Sequence, residues 1–419
     1  DWVQAGRYAA GLDPIVPVGG PAAPVSLMAD NEPLGLVAAS ASLVRAEMVV
    51  DPSFAAAGKD QQVIKLLAQG GENALSFSLL FESSKWKFTV AELTDDAAGA
   101  NLLVNREQEA EGKLGFLLAF PTGKSLPPGE IRLFTVTFSP LENAADALFV
   151  SFGDAPLARE ISDVNANRLP SNFVADYSLM GATACASVSA ASFAAQPLAA
   201  EQIVAAFGAD LAPATLAAQS LPLPTSLGEA TVIITDSKGV EHLAGLFFVS
   251  PTQINYLLPA ELATGVARVT ISASGKTSIG LIDVAPIAPS FFTANADGRG
   301  VAAAVLLRVR GDGSQNYESV ARFDAAENRS VAVPIVFGEP DERLFLLLYG
   351  TGLRNHKGAI QAVIGGVEAD VLFAGGVSGF VGLDQLNLSL PRNLAGRGEV
   401  SIQINFGDRA ANTVTVAIR

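Results

Sequence analysis

A twelve-residue pattern of alternating polar and apolar positions occurs twice in the chain. Residues 248–259 read FVSPTQINYLLP, and residues 380–391 read FVGLDQLNLSLP. In the second copy polar and apolar residues alternate strictly until Pro391, which is typical of a half-buried β-strand, and the first copy places Gln253 and Asn255 opposite its apolar face before Pro259. We therefore predict two equivalent strands, each with one face in a hydrophobic core. The residues on the predicted buried faces are Leu386, Leu388 and Leu390 in one copy and Ile254, Tyr256 and Leu258 in the other.

The opposite face of each strand carries amide side chains, which allow two interpretations. Gln253 and Asn255 occupy this face in the first copy, and Gln385 and Asn387 occupy it in the second. Such amides can line a ligand site. Buried Asn and Gln side chains also commonly bond the backbone of neighbouring loops, and the pattern favours this structural role.

The repeat extends beyond the strand itself. FGADL at 207–211 precedes the first copy, and YGTGL at 349–353 precedes the second. Another strand-like stretch follows each copy, at 266–274 and at 399–406. This order predicts two homologous β-domains. Short strands with a turn about every ten residues indicate β-sandwiches.

The N-terminal part of the chain has a different character. Residues 1–14 predict a helix, because apolar side chains recur at helical spacing and Gly11 and Pro14 act as stop signals. The residues that follow, up to 34, are rich in Pro and Gly and predict an extended linker.

Strand-like stretches separated by turns then follow one another, until a run of Ala, Ser and Gly at 179–190 marks a boundary. The predicted fold class is therefore all-β, with three tandem β-sandwich domains and a short N-terminal helix. The predicted segments are 1–34 (helix and linker), 35–178 (first sandwich), 186–287 and 288–419 (two immunoglobulin-like repeats).

The composition bears on possible partners. Charged residues make up 16% of the chain, against about 25% in a typical soluble protein. A surface so poor in charge suggests that sister domains or other subunits cover part of it. The net charge of −15 argues against nucleic acid and anionic membranes, since phosphate binding needs clustered Lys and Arg. No stretch has the roughly 20 bulky apolar residues of a membrane span.

The sequence contains few residues of the types that usually carry out catalysis. Cys185 is the single cysteine, so neither an intrachain disulfide nor a thiol metal cluster can form. The only histidines, His242 and His356, are predicted to be solvated side chains in separate loops, which does not suit a hydrolytic triad. Paired carboxylates for glycoside hydrolysis cannot be located from sequence, because their separation is a three-dimensional property. The chain is predicted not to be an enzyme.

One stretch has the spacing of a calcium loop without its other requirements. Asp163, Asn165 and Asn167 match its first, third and fifth positions, but Arg168 replaces the glycine and Val174 replaces the final glutamate. We predict a turn stabilised by the Asp side chain instead.

Five ordered stretches carry a resemblance to a known family. They read SAASFAAQPLAAEQIVAAFGADLA, LFFVSPTQINYLLP, VAPIAPSFFTANADGRG, LLLYGTGLR and GFVGLDQLNLSLP. Residues from about 186 to 419 thereby resemble the β-rich C-terminal domain family of unknown function found in many secreted acidobacterial proteins. The resemblance implies a β-fold and export from the cell, and it implies no chemistry.

Two further resemblances concern the N-terminal half. Residues 72–141, with ENALSFSLLFESSKWKF, GKLGFLLAF and LPPGEIRLFTVTFSP, resemble a cohesin-like domain. Residues 1–13 resemble the helix that follows a dockerin calcium loop, which makes Asp1 the last ligand of such a loop. Its preceding acidic and Asn ligands are absent from this chain. Calcium is the one cofactor that these resemblances suggest.

The leading functional prediction is a secreted, non-catalytic structural protein that forms a cell-surface or extracellular filament with itself. A dockerin-like helix and a cohesin-like sandwich in one chain provide both halves of a head-to-tail contact. Alternatively, the linker adds a strand to a neighbour's sheet edge. The residues predicted to self-associate are Trp2, Tyr8, Ile15, Val16, Val18 and Val25.

A second prediction is an adhesion or scaffold module that binds a polysaccharide or another surface protein. Polysaccharide binding needs exposed aromatic side chains, and Trp86 is the candidate, although a core position suits it equally well. An enzyme is the third possibility, and no set of residues supports it.

Overall fold

The computed structural model describes residues 44–50, 60–142, 147–178, 181–194 and 197–419. These residues form β-strands and a few single-turn 3-10 helices, at Asp95–Ala97, Glu109–Glu111 and Arg392–Leu394. The strands build three β-sandwiches, which confirms the predicted all-β class. The predicted helix at 1–14 and the linker after it lie outside the described residues. Among the described residues, no helix combines the length and apolar character needed to cross a membrane.

The first sandwich packs two sheets around a core rich in phenylalanine. Its strands are β1 (Val44–Val50), β2 (Asp60–Ala68), β3 (Glu72–Phe81), β4 (Trp86–Leu93), β5 (Asn101–Asn105), β6 (Lys113–Ala119), β7 (Gly129–Pro140), β8 (Val150–Gly153), β9 (Glu160–Asp163) and β10 (Ser171–Asp176). One sheet has the order β10-β1-β2-β7-β4, and the other has the order β5-β6-β3-β8 with β9 also on β3. The Phe77 ring stacks on Phe116 and Phe134, with ring centroids 5.5 and 6.0 Å away. These rings join the two sheets, since Phe77 and Phe116 lie in one and Phe134 in the other.

The second sandwich contains the first copy of the repeated strand. Its strands are β11 (Thr183–Ala184), β12 (Ala186–Ser189), β13 (Leu198–Ala199), β14 (Ile203–Phe207), β15 (Leu216–Ala217), β16 (Ser226–Leu227), β17 (Ala230–Thr235), β18 (Glu241–Leu243), β19 (Gly245–Val249), β20 (Gln253–Leu257), β21 (Gly265–Ala273) and β22 (Lys276–Ala285). One sheet runs β11-β22-β21-β17-β16, and the other runs β12-β14-β20-β19-β15. Val232, Val269 and Tyr256 meet in the core between them.

The third sandwich contains the second copy. Its strands are β23 (Ser290–Phe291), β24 (Ala304–Val309), β25 (Gln315–Ser319), β26 (Ala321–Asp324), β27 (Arg329–Ala332), β28 (Arg343–Thr351), β29 (Ile360–Ile364), β30 (Val367–Glu368), β31 (Val371–Gly376), β32 (Asp384–Ser389), β33 (Gly398–Phe406), β34 (Arg409–Ala410) and β35 (Val414–Ile418). The sheet β25-β24-β28-β32-β31 faces the sheet β30-β29-β33-β34, in which β35 also pairs with β33. Strands β26 and β27 form a separate hairpin.

The repeated stretches occupy equivalent strands, β20 and β32, as predicted. All six apolar residues named for their buried faces are buried. The amide pairs are also equivalent: Gln253 Nε2 donates to Asn255 Oδ1 at 2.8 Å, and Gln385 Nε2 donates to Asn387 Oδ1 at 2.6 Å. The amides therefore contact each other, whereas the prediction placed them against loop backbone.

Parallel pairing joins the beginning and the end of each sandwich, while the other described strand pairs are antiparallel. In the first sandwich β1 runs parallel to β10, and in the second β11 and β13 run parallel to β22. In the third, parallel bridges connect Val301 with Thr415 and Ile335 with Ile418. Each sandwich is thus closed by backbone hydrogen bonds between its first and last segments.

The contact between the first and second sandwiches, called the first joint here, contains ion pairs. Lys113 Nζ lies 2.7 Å from Asp283 Oδ2, and Arg268 Nη1 lies 3.6 Å from Glu82 Oε2. These four side chains are largely buried. A small apolar cluster beside them consists of Leu80, Val266 and Leu281.

The contact between the second and third sandwiches, called the second joint here, is mainly apolar. Its buried cluster consists of Val188, Ala190, Ala191, Phe193, Ile203, Ala205 and Phe247 from the second sandwich and Phe292, Ala303, Val305, Tyr349 and Leu383 from the third. Hydrogen bonds cross this joint, including one from Ile203 N to Thr351 Oγ1 at 3.0 Å. Arg354 also bridges Glu201 of the second sandwich and Asp384 of the third.

Candidate functional site

A cleft of 510 Å³ lies beside the first joint and is called the interdomain cleft here. Strands β8 and β10 of the first sandwich form one wall, and β11, β12 and residues 207–209 of the second sandwich form the other. Apolar side chains such as Phe173, Val188 and Phe207 dominate the lining. Its size and apolar character are typical of a binding site.

Two strand edges face this cleft. β10 and β12 are the end strands of their sheets, and each is paired on one side only within the described residues, with β1 and with β14 respectively. Residues 172–175 and 186–188 of these strands line the cleft. A free strand edge presents backbone groups that an extended peptide can bond.

The rim of the cleft carries a bidentate ion pair. Arg159 Nε and Nη2 donate to the two carboxylate oxygens of Asp154, both at 2.9 Å. Burial raises the pKa of the Asp154 carboxyl, but the Arg159 guanidinium outweighs burial and holds that pKa below its usual value. The pair gives the rim a fixed, neutralised polar edge rather than a net charge.

A thiol and a phenol hydroxyl line the cleft, and neither is activated as a nucleophile. Cys185 lines it, and burial raises the pKa of its thiol to about 12. A thiol needs a lowered pKa to act as a nucleophile. Tyr177 also lines the cleft, and its hydroxyl donates to Val150 O at 2.8 Å. In the described part of the chain, no group of three or more His, Cys, Asp or Glu could hold a metal ion. The apolar lining of the cleft suits the binding of a partner.

A second surface lies on the edge of the third sandwich. β31 is the end strand of its sheet, and its register with β32 shifts between Val371 and Phe373, which leaves Leu372 in a bulge. Leu372 is 57% exposed and Phe373 is 44% exposed. Adjacent exposed apolar residues on a sheet edge favour contact with another chain.

A third, smaller surface lies on the first sandwich. Leu103 on β5 and Leu117 on β6 are direct cross-strand partners. Both side chains are exposed on the outer face of their sheet. This pair forms a compact apolar contact point on the edge strand β5 and its neighbour β6.

The residues that were predicted to bind calcium or to mediate self-association lie outside the described residues. They are Asp1 for calcium, and Trp2, Tyr8, Ile15, Val16, Val18 and Val25 for self-association. The calcium site and the self-association segment therefore stay predictions, as do the segment limits.

The structure shows the positions of three other candidate residues, Trp86 and the two histidines. Trp86 is buried in the core of the first sandwich and offers no platform for a sugar. The two histidines are not the solvated side chains that were predicted. His242 Nε2 lies 3.3 Å from Asp236 Oδ2, and the His356 ring packs against Phe406 with centroids 5.8 Å apart. Both histidines are half-buried and each contacts a specific neighbour, so the predictions of solvation were wrong.

The loop with calcium-like spacing is a hydrogen-bonded turn. Asp163 Oδ1 accepts from the backbone N–H groups of Asn165 and Asn167, at 2.8 and 2.9 Å. The Asn167 side chain donates to the other carboxylate oxygen. These hydrogen bonds lower the pKa of Asp163 and confirm the predicted turn.

Sequence reasoning did not identify the interdomain cleft or the β31 edge. The cleft brings together residues from 80 to 283, so no local pattern marks it. One signal for the β31 edge exists in the sequence. The connection after the FGADL motif runs over residues 212–229, whereas the connection after YGTGL covers only 354–359. The third sandwich is therefore shorter at this point.

No protein-family model matches the chain, and no curated protein matches it. Solved structures of cohesin domains are similar to about a third of the chain. The sixth cohesin of scaffoldin B from Acetivibrio cellulolyticus, in complex with a Cel5 dockerin mutant, is 14% identical. The match covers 32% of this chain and 95% of that one, with a TM-score of 0.27.

Two further structures give comparable values. The seventh type I ScaB cohesin from Pseudobacteroides cellulosolvens is 14% identical, covering 32% of this chain and 88% of that one with a TM-score of 0.25. A type II cohesin domain from the cellulosome of Acetivibrio cellulolyticus is 15% identical, covering 32% and 92% with a TM-score of 0.27.

Proposed function

We propose that the protein is a secreted, non-catalytic structural protein whose copies assemble head to tail into an extracellular or cell-surface filament. Residues 1–34, called the N-terminal segment here, provide the contact to the next copy. The partner of the chain is in this proposal a second copy of itself.

The observation that carries this proposal is the way in which the sandwiches are joined. The second joint is a shared hydrophobic cluster crossed by hydrogen bonds such as Ile203 N to Thr351 Oγ1. The first joint adds the buried ion pair between Lys113 and Asp283. Buried joints of this kind resist bending, because bending would expose apolar surface and separate buried charges. A subunit that transmits force along a filament needs such joints.

The composition of the N-terminal segment supports its role as the contact. Ile15, Val16, Val18 and Val25 are apolar, and they gain nothing from remaining in water. The low charged fraction of the chain also favours a surface that other copies cover. The resemblance of residues 186–419 to a secreted family supports export. Calcium would bind at Asp1, if the ion is part of the dockerin-like contact.

The proposal excludes catalysis. In the described residues, Cys185 has a raised pKa and both histidines pack against neighbours. Screening of ester, glycoside and peptide substrates should give no turnover. Turnover that disappears on mutation of an Asp/Glu pair would contradict this part of the proposal.

Electron microscopy and light scattering of the full-length chain test assembly. We expect fibres whose length grows with protein concentration, and monomers when residues 1–30 are deleted. Oligomers of unchanged size after deletion would show that another surface makes the contact. A full-length chain that stays monomeric at high concentration would remove the filament proposal.

An alternative is a scaffold or adhesion module that binds a different protein, and the exposed pair Leu103 and Leu117 favours it. A polysaccharide partner lacks this support, since Trp86 lies in the core. Replacing Leu103 with Asp should abolish capture of such a protein partner and leave filament formation unchanged. Loss of filaments in this variant would favour a role of this face in self-assembly.

A further inference from the structure

The second and third sandwiches follow one plan and can be compared strand by strand. β14, β20 and β19 lie side by side in the second, as β28, β32 and β31 do in the third. The bulge occurs at the same place in both, since the register shifts around Phe247 in β19 and around Leu372 in β31. β31 is therefore the counterpart of β19, and Leu372 is the counterpart of Phe247.

The outer edge of β19 is covered by a segment of its own sandwich, residues 216–224. Strand β15 of this segment pairs with β19. Beyond the ladder, Ala218 N donates to Phe247 O at 2.8 Å, and Leu246 N donates to Pro224 O at 2.8 Å. These bonds satisfy the backbone around the bulge, while the Phe247 side chain is buried in the apolar cluster of the second joint.

The third sandwich lacks this covering segment. The short connection 354–359 replaces residues 212–229, so no strand equivalent to β15 is formed between β28 and β29. Within the described part of the chain, no backbone hydrogen bond reaches the outer side of Val371 or Leu372. Leu372 and Phe373 nevertheless keep the apolar character of Phe247 and Phe248, and they are exposed. The edge of β31 therefore presents backbone groups and exposed apolar side chains, but no strand equivalent to β15 pairs with it in the described part of the chain.

We propose that the edge of β31 accepts the N-terminal segment of a second copy as an added strand, in the place that residues 216–224 occupy on β19. This inference rests on the proposed head-to-tail assembly and names its acceptor site. Leu372 and Phe373 pack against the apolar side chains of the incoming segment. The backbone groups around the bulge form hydrogen bonds with the backbone of that segment.

The composition of the segment matches that of the strand it replaces. Residues 216–224 read LAAQSLPLP, and residues 15–25 read IVPVGGPAAPV. Both are uncharged, apolar and interrupted by prolines. An incoming segment of this kind adds no charge to the apolar edge.

The positions of the prolines suit an outermost strand. Successive residues of a strand direct their N–H groups to opposite edges, and proline has none to donate. Pro17 and Pro21 are four residues apart and therefore share one edge of the strand. The residues whose N–H groups lie on the other edge are Val16, Val18, Gly20 and Ala22. This edge can pair with β31 from Val16 to Ala22, and Pro24, which has no N–H to donate on this edge, ends the pairing. Pro17 and Pro21 on the opposite edge block the addition of a further strand.

Charged substitutions on the acceptor edge test the proposal in the full-length chain. The variant Leu372→Asp/Phe373→Asp should raise the concentration for half-assembly more than about tenfold, because it places charge in an apolar contact. Phe323→Asp is the matched control, since Phe323 is 63% exposed on the separate hairpin β26–β27. This control should assemble like the unmodified chain.

Cross-linking identifies the occupant. Full-length Val18→Cys mixed with full-length Leu372→Cys should form a disulfide-linked pair of chains on oxidation, whereas Val18→Cys mixed with Phe323→Cys should not. The native Cys185 is buried and does not compete. A chain carrying both Val18→Cys and Leu372→Cys should give linked polymers.

The outcomes separate failure of this inference from failure of the proposed function. Filaments that form normally from Leu372→Asp/Phe373→Asp would overturn the acceptor site and leave the filament intact. A monomeric double-cysteine chain with an internal disulfide would overturn the second copy as occupant, because the segment would then cover its own β31. If the unmodified full-length chain does not assemble, both proposals fail.

Discussion

The first joint combines buried ion pairs with two small apolar clusters, whereas the second joint consists mainly of one large apolar cluster. At the first joint, the Lys113–Asp283 pair lies beside a cluster of three apolar residues, and the interdomain cleft opens next to it. At the second joint, twelve buried apolar residues from both sandwiches form one cluster. Each sandwich has its own core, and the second and third sandwiches are joined by this additional shared cluster.

This difference predicts different responses of the two joints. Apolar burial contributes about 25 cal/mol per Å² and is insensitive to the loss of any one polar partner. A buried ion pair contributes little net free energy, but it is costly to break from one side. We therefore expect the second and third sandwiches to unfold as one unit and the first to separate from them more easily.

The largest effect should come from removing a ring at the second joint. Phe292→Ala leaves a cavity in the shared cluster and should lower the free energy of unfolding by about 3–5 kcal/mol. Calorimetry should show that only the transition of the second and third sandwiches moves. Phe323→Ala, at an exposed position, is the control with an effect within about 0.5 kcal/mol. Three independent transitions in the unmodified chain would contradict coupling of the two sandwiches through the shared cluster.

At the first joint, Lys113→Ala should lower stability by about 1–3 kcal/mol, since Asp283 is left buried without its cation. The double variant Lys113→Met/Asp283→Leu removes both charges and should recover most of this loss. Chemical denaturation of the single and double variants measures the coupling. A loss in the double variant equal to the sum of the losses of Lys113→Met and Asp283→Leu alone would mean that the pair is not coupled.

Alkylation of Cys185 can report opening of the first joint. At pH 8, a pKa of about 12 leaves roughly one thiol in ten thousand deprotonated, so labelling of the native chain should be slow. The raised pKa also means that labelling should accelerate as the pH rises towards 12. Lys113→Ala should increase the labelling rate at pH 8 by loosening the cleft, whereas the exposed control Phe323→Ala should not. Equal rates in both variants would argue against opening at this joint.

The smallest expected effect compares the two amide pairs. Asn255 is fully buried on the face that meets the third sandwich, while its counterpart Asn387 is partly exposed. Asn255→Ala removes the acceptor of Gln253 Nε2 in a buried place and should cost about 1–2 kcal/mol. Asn387→Ala should cost less than about 0.5 kcal/mol, because water can replace the lost partner. Denaturation midpoints of the two variants measure the difference, and equal losses would contradict it.

Alternation along the chain was sufficient to predict the repeated strands. Leu386 and Leu388 lie on one face because side chains alternate in a strand, and that face must be buried. The same reasoning cannot tell which buried face a second domain covers. Gln253 and Gln385 have the same local pattern, and only the second joint distinguishes them.

The surfaces with potential function depend on contacts that no local pattern describes. Leu372 and Phe373 resemble core residues in sequence, and they are exposed because, in the described part of the chain, this edge has neither a counterpart of β15 nor a neighbouring sandwich like the one that buries Phe247. Likewise, Arg159 and Cys185 line the same cleft only because two sandwiches meet there.

The parallel closure of each sandwich has a mechanical consequence. When a chain is pulled from its two ends, parallel first and last strands slide along each other, so that their hydrogen bonds are loaded in shear and must break together. Antiparallel neighbours would instead peel apart one bond at a time. β1 and β10 carry such a parallel ladder from Val44 to Val49, and Thr415 and Ile418 fasten the end of the third sandwich in the same way. Forced unfolding is governed by the unfolding barrier. Each subunit should therefore resist tension between its two ends more strongly than its equilibrium stability alone would indicate, which is the property that the proposed filament requires.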